Sequence, residues 1–201
     1  EAEKIDLKHK KIYFKNGIIK KYDYLISTIP LAELIRMLKG VDPQITYLSN
    51  RLKWVSIFNL NLGVKRKVLP HYHWIYFPEK KYNFFRIGFP ANFSSYLVPS
   101  GMSSIYVGVS YSPLIKINKY KTIRNIINGL EKLKIIKNKN EILLEDSNDI
   151  KYGYVIYTLD RKIILNKIFK FLVSHNIYSI GRYGGWRYAT MEDCIMEGKL
   201  I

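Results

Sequence analysis

Two arginines stand among glycines and aromatic rings near the end of this 201-residue chain: Gly181-Arg182-Tyr183-Gly184-Gly185-Trp186-Arg187-Tyr188, with Thr190 ahead of Met191-Glu192-Asp193. A guanidinium fork holds a phosphate by two parallel hydrogen bonds, and the open amides of a helix start favour the same anions. Thr190 followed by two acids is N-cap chemistry, so the spacing predicts a short strand ending at Gly181-Arg182, a glycine-bearing loop, and a helix from residue 191. The glycines let the backbone approach a ligand closely, and the anion such a cradle suits is a pyrophosphate. A plain strand-to-helix connection with two solvated arginines uses the same residues, and local physics leaves both readings open.

A second constellation is His73-Trp74-Ile75-Tyr76-Phe77-Pro78 followed by Phe85-Arg86 and Asn92-Phe93-Ser94. Ring faces stack on a nucleobase, an arginine holds a diphosphate and an asparagine fixes a polar edge, which together is the chemistry of a nucleotide-sugar pocket. The alternative is a sheet whose rings are core and whose arginine snorkels to solvent. In a third stretch, Tyr152-Gly153-Tyr154-Val155-Ile156-Tyr157, the Tyr154 hydroxyl is a candidate donor to a diphosphate, with packing at a sheet edge as the ordinary alternative. His9, His71, His73 and His175 have no spacing with each other or with Cys194 that makes a ligand set, so no metal is expected. No Ser/His/Asp order and no paired carboxylates stand out, which suits an enzyme whose cofactor carries the reaction and leaves no catalytic side chain to name.

The elements that must position these residues are legible as patterns. Asn16-Gly17 predicts a hairpin between strands at 11–14 and 18–22. An apolar strand at 22–29 ends at Pro30, and Leu31, Leu34, Ile35 and Leu38 have helical spacing up to Gly40. A short helix is expected at 46–52, then strands at 54–64, 74–78, 84–89 and 104–111, together an antiparallel sheet. Residues 120–134 carry the clearest amphipathic helix. A tyrosine-rich strand returns at 149–158, and Asp160 is placed to cap a helix over 161–173. Residues 138–140 read as a surface turn.

The chain holds 33 Lys plus Arg against 16 Asp plus Glu, a net charge of +17. That excess raises nucleic acid, an anionic membrane surface or a polyanionic small molecule as partners. The lysines come in scattered short runs, so nucleic-acid binding is not expected. A single cysteine excludes an internal disulfide and fits a reducing, cytoplasmic setting. No run approaches the roughly 20 apolar residues of a membrane span.

The segment from Gly181 to Asp193 resembles the flavin-contacting segment of UDP-galactopyranose mutases and their relatives in the amine oxidase and protoporphyrinogen oxidase superfamily. The strand at 74–78, Phe85-Arg86 and Asn92-Phe93-Ser94 are similar to the eukaryotic-type mutase pattern, with Phe85 and Phe93 where that family carries tyrosine. The resemblance implies an FAD-dependent α+β protein, in which the antiparallel sheet of a substrate domain packs with helices. The last strand and helix elements of an FAD-binding domain accompany it, and that domain's N-terminal Rossmann part is absent. It implies three regions: residues 1–40 from the FAD domain, 41–148 for substrate, and 149–201 returning to the cofactor.

Gly181, Arg182, Met191 and Glu192 would contact FAD. Tyr76, Arg86, Asn92, Tyr154, Arg182 and Tyr188 would hold a nucleotide sugar. The implied activity interconverts pyranose and furanose rings through reduced flavin without net redox. An oxidase of the same superfamily and a non-catalytic basic anion-binding module are the other readings. No glycine spacing here supplies the dinucleotide fingerprint, so the chain is expected to be a C-terminal fragment that binds flavin weakly alone.

Overall fold

Gly17 takes φ +79°, a left-handed conformation that costs an L side chain free energy and glycine little. It closes the predicted hairpin: the Phe14 amide donates to the Ile18 carbonyl and the Gly17 amide to the Phe14 carbonyl, each at 2.9 Å. The computed structural model describes residues 1–67 and 71–201. Its strands β1 (Ala2–Asp6), β2 (Lys11–Phe14) and β3 (Ile19–Lys21) form an antiparallel meander. Strand β4 (Leu25–Ser27) leads through Pro30 to helix α1 (Leu31–Met37). The helix ends earlier than its apolar spacing predicts, because Leu38 turns extended and pairs with Ile5. This short strand, β5 (Leu38–Lys39), lies parallel to β1 and gives the order β3-β2-β1-β5. In helix α2 (Pro43–Asn50) the Asp42 carboxylate accepts the Gln44 amide at 2.7 Å, and Pro43 occupies a first-turn position whose missing N–H costs nothing.

The middle of the chain builds strands β6 (Lys53–Val64), β7 (Trp74–Tyr76), β8 (Arg86–Gly88) and β9 (Ser103–Tyr111), helix α3 (Lys119–Lys132) and strand β10 (Ile142–Ile156). They order as β10-β6-β9-β8-β7, with β6, β7, β8 and β9 joined by antiparallel pairings. The chain then forms helix α4 (Arg161–Ser174), strand β11 (Ile177–Ser179) parallel to β4, the single turn α5 (Gly181–Gly184) and helix α6 (Met191–Lys199). Asp160 does not cap α4 with its side chain; its carboxylate pairs instead with Arg51.

The chain divides into two units, Glu1–Trp54 with Tyr154–Ile201, and Val55–Gly153. In the first, Leu31, Leu34 and Ile35 of α1, Ile45 and Leu48 of α2, and Ile164, Ile168 and Leu172 of α4 are buried, as the helical spacings require. In the second, alternation puts Leu60, Leu62, Ile87, Ile105 and Val107 on the sheet face that packs with Ile126 and Leu130 of α3. Tyr76, Arg86 and Tyr106 fall on the opposite face by the same period of two.

Candidate functional site

In the first unit the expected glycine loop is one helical turn, α5, entered by Gly181 at φ +78°. A Cβ at Gly184 would lie 3.0 Å from the Ser27 carbonyl and one at Gly185 2.8 Å from the Gly181 carbonyl, so the turn is packed as bare backbone. The Gly181 amide donates to Glu197 Oε2 at 2.7 Å, and Arg187 Nη2 donates to the same oxygen at 3.0 Å. That bond with Glu197 raises the Arg187 pKa above its ordinary value. Helix α6 opens with a capping box: Thr190 Oγ1 accepts the Asp193 amide at 3.1 Å, and Asp193 accepts the Thr190 amide at 2.7 Å. The amides of Met191 and Glu192 come before the first intrahelical donor, the Cys194 amide that bonds the Thr190 carbonyl, so they have no acceptor within the helix, and both residues are exposed.

Beside this turn three residues expected to meet substrate come together. The Arg182 guanidinium carbon lies 4.4 Å from the Tyr188 ring centre and 5.2 Å from that of Tyr154, and the two rings stack at 6.3 Å with 19° between their planes. Arg182 Nη1 also donates to the Ala189 carbonyl at 3.2 Å. Behind Tyr188, its amide donates to the Tyr157 hydroxyl at 2.8 Å, and Arg161 lies 4.1 Å over the Tyr157 ring while its guanidinium donates to the Trp186 carbonyl. Trp186 is fully buried, edge-on to Trp54 at 5.9 Å. Tyr157 was not expected here, since in a strand over 149–158 alternation puts it on the face opposite Tyr154; the strand ends at Ile156, and that rule no longer applies to it.

In the second unit Tyr76 and Arg86 are directly opposite on β7 and β8. The Arg86 guanidinium carbon is 5.2 Å from the Tyr106 ring and 5.6 Å from the Phe85 ring. Each ring rests over a glycine: a Cβ at Gly88 would lie 2.0 Å from Tyr106, and one at Gly108 3.0 Å from Phe85. Tyr106 was missed, although the inward set Ile105, Val107 and Val109 already implied that it points the other way. Asn92 donates its side-chain amide to the Tyr72 carbonyl at 2.7 Å, which ties the turn after β8 to the segment that leads into β7. Phe93 stacks on Trp74 at 5.7 Å and meets His73 at 4.5 Å. Tyr76, Trp74 and Phe93 are about half exposed, so these rings present faces to solvent. Among the described residues no group of His, Cys, Asp and Glu is arranged to hold a metal ion.

No protein-family profile matches the chain. Over 94% of its length it superposes on a reduced UDP-galactopyranose mutase with a TM-score of 0.86 and 33% identity, spanning 41% of that protein. A protein from Exiguobacterium sp. named as a protoporphyrinogen oxidase matches 94% of the chain with a TM-score of 0.72 and 14% identity, over 42% of its own length. A fatty acid isomerase from P. acnes that produces CLA matches the whole chain at 0.68 and 12% identity, over 46% of its length. At those lower identities the likeness is one of fold. The fold is therefore that of the superfamily containing amine oxidases and protoporphyrinogen oxidases. Within it the chain belongs with the UDP-galactopyranose mutase-like proteins, and it spans about two-fifths of the mutase it matches.

Proposed function

We propose that this chain is the substrate-holding and cofactor-contacting part of an FAD-dependent enzyme that interconverts pyranose and furanose forms of a nucleotide sugar. The observation that carries the reading is the grouping of Tyr154, Arg182 and Tyr188. Strand residue Tyr154 and, about thirty positions later, Arg182 and Tyr188 present a guanidinium and two phenols together, Arg182 from a turn whose first amide is held by Glu197. Arg182 meets a phosphate oxygen, and its charge matters most as the nucleoside diphosphate departs and its negative charge grows. Tyr154 and Tyr188 orient that arginine and offer hydroxyl donors to the same oxygens. In the other unit, Tyr76 supplies a ring face to a base and Arg86 a fork to a phosphate, with Asn92 fixing the turn beside them.

The residues fit the anionic dinucleotide. A helix start with two open amides follows a turn whose glycines leave the backbone bare, and these would lie along the cofactor. FAD supplies, when bound and reduced, the nucleophile for the sugar's anomeric carbon.

Calorimetric titration of UDP into the protein tests this. UDP should bind more tightly than ADP, and R182A and R86A should each weaken it by about tenfold or more, the loss expected for a charge-assisted pair. Equal affinity for UDP and ADP, or unchanged binding in both variants, would remove the mutase reading. Salt-sensitive binding to arbitrary DNA in its place would favour a basic binding module.

A further inference from the structure

The outer face of the first unit's four-stranded sheet carries lysines that form no ion pair among the described residues, although the exposed Glu3 lies at its edge near Lys4. Ile5 points inward at 3% exposure, so by alternation Lys4 and Asp6 of β1 lie on the other face. Pairing across the strands lines up Lys39, Asp6, Lys11 and Lys21 in one row and Lys4, Tyr13 and Ile19 in the next. Asp6 is buried, its oxygens taken by the His9 amide at 3.0 Å and the Lys39 ammonium at 3.9 Å. Lys4, Lys11 and Lys21 have no carboxylate partner among the described residues. Lys11 and Lys21 are direct cross-strand neighbours, a like-charge pairing that costs stability. Ile19 stands 53% exposed beside them.

We propose that this face docks on an anionic lipid surface, meeting phospholipid headgroups with its lysines and sinking Ile19 at the boundary. Lysine is a compact charge on a flexible stem, suited to a diffuse layer of headgroups, whereas recognition of individual phosphates and bases favours arginine forks. Among the described residues the arginine that borders these rows, Arg36, is engaged with Glu33 at 3.1 Å. Nucleic acid is the poorer occupant: the Lys4 ammonium lies 5.6 Å over the Tyr13 ring, the single aromatic on these rows, so no series of open rings is present for successive bases. An exposed aliphatic side chain among cations is the combination by which peripheral proteins bind anionic membranes. Attachment is peripheral, since no helix among the described residues is long and apolar enough to cross a membrane.

The test is sedimentation of the protein with vesicles of phosphatidylcholine alone and of equimolar phosphatidylcholine and phosphatidylglycerol. Binding is expected to the mixed vesicles only, and to vanish at about 1 M salt, where the screening length is about 3 Å. K21E replaces the like-charge pair by an opposite one, so its Tm should rise. Its vesicle affinity should fall by about 25-fold, at about fivefold for each unit of charge. Opposite signs in the two readouts separate lost docking from lost folding. I19S should weaken vesicle binding without changing its salt dependence. The proposal is overturned if K21E binds like the parent protein, if pure phosphatidylcholine binds equally well, or if single-stranded RNA at equal phosphate displaces the vesicles. None of these residues belongs to the nucleotide-binding sets, so failure here leaves the UDP titration to stand or fall alone.

Discussion

An alanine at Gly88 would place a methyl carbon 2.0 Å from Tyr106 Cε1, 2.1 Å from its Cζ and 2.5 Å from its hydroxyl oxygen, where ordinary contact begins at 3.4 Å. The ring must give way by more than an ångström, and it is the ring that lies 5.2 Å from the Arg86 guanidinium. Gly88 pairs with Trp74 on one side and Tyr106 on the other, so the backbone cannot retreat without breaking ladder bonds on β7 or β9. Overpacking of this kind costs about 1–3 kcal/mol, offset in part by the ~0.5–1 kcal/mol that alanine gains over glycine in a strand. In a Y106A background the clash is gone and only the gain remains. G88A should therefore destabilise the parent protein and be neutral or stabilising beside Y106A, a coupling of about 1–3 kcal/mol in a double-mutant cycle by urea unfolding. The displaced ring should also turn Arg86 and weaken UDP binding in G88A. An equal cost of G88A with and without the Tyr106 ring would refute the packing of that ring on Gly88, and unchanged UDP binding in G88A would refute its positioning of Arg86.

Three further outcomes follow from named contacts. E197A removes the acceptor shared by the Gly181 amide and Arg187, and should cost about 1–2 kcal/mol by urea unfolding with faster exchange of the Gly181 amide, while E197Q, which keeps an acceptor, should cost less. The Asp193 carboxyl is held below its ordinary value of 3.8, first by the Thr190 amide, so its contribution is present above pH 3.8 and lost as pH falls through the lower folded value; the stability gap between the parent protein and D193N should close across that window. Burial, then the bond to Asp149, pushes Tyr111 up to about 12 from 10.0. A raised pKa stabilises below the unfolded value and is lost above it, so stability should fall between pH 10 and about 12, and Y111F should flatten that decline in an alkaline titration of Tm.

What could be read from residues alone was what depends on near neighbours. Asn16-Gly17 sets a hairpin because one residue must take positive φ, and Thr190 with Asp193 sets a helix start because both capping bonds close within four residues. The inward face of β9 was legible from Ile105, Val107 and Val109. The first half of β10 was not. Glu145, Asp146, Ser147 and Asn148 give no alternation, yet they continue an edge strand of the five-stranded sheet through backbone pairing that any side chain permits. Asp160 had the type of a helix cap, but a charge partner distant in sequence, Arg51, claimed its carboxylate. The same limit applies within the site. Arg182 and Arg187 are chemically identical and five residues apart, so residue type alone does not rank them, and only the resemblance singles out Arg182. Helix α6 separates them: its Glu197 pairs with Arg187, whereas among the described residues Arg182 meets tyrosine rings and a carbonyl and makes no ion pair. An incoming phosphate gains more from a guanidinium with no carboxylate beside it than from one already paired. R182A should therefore cost UDP affinity that R187A, whatever it does to folding, does not.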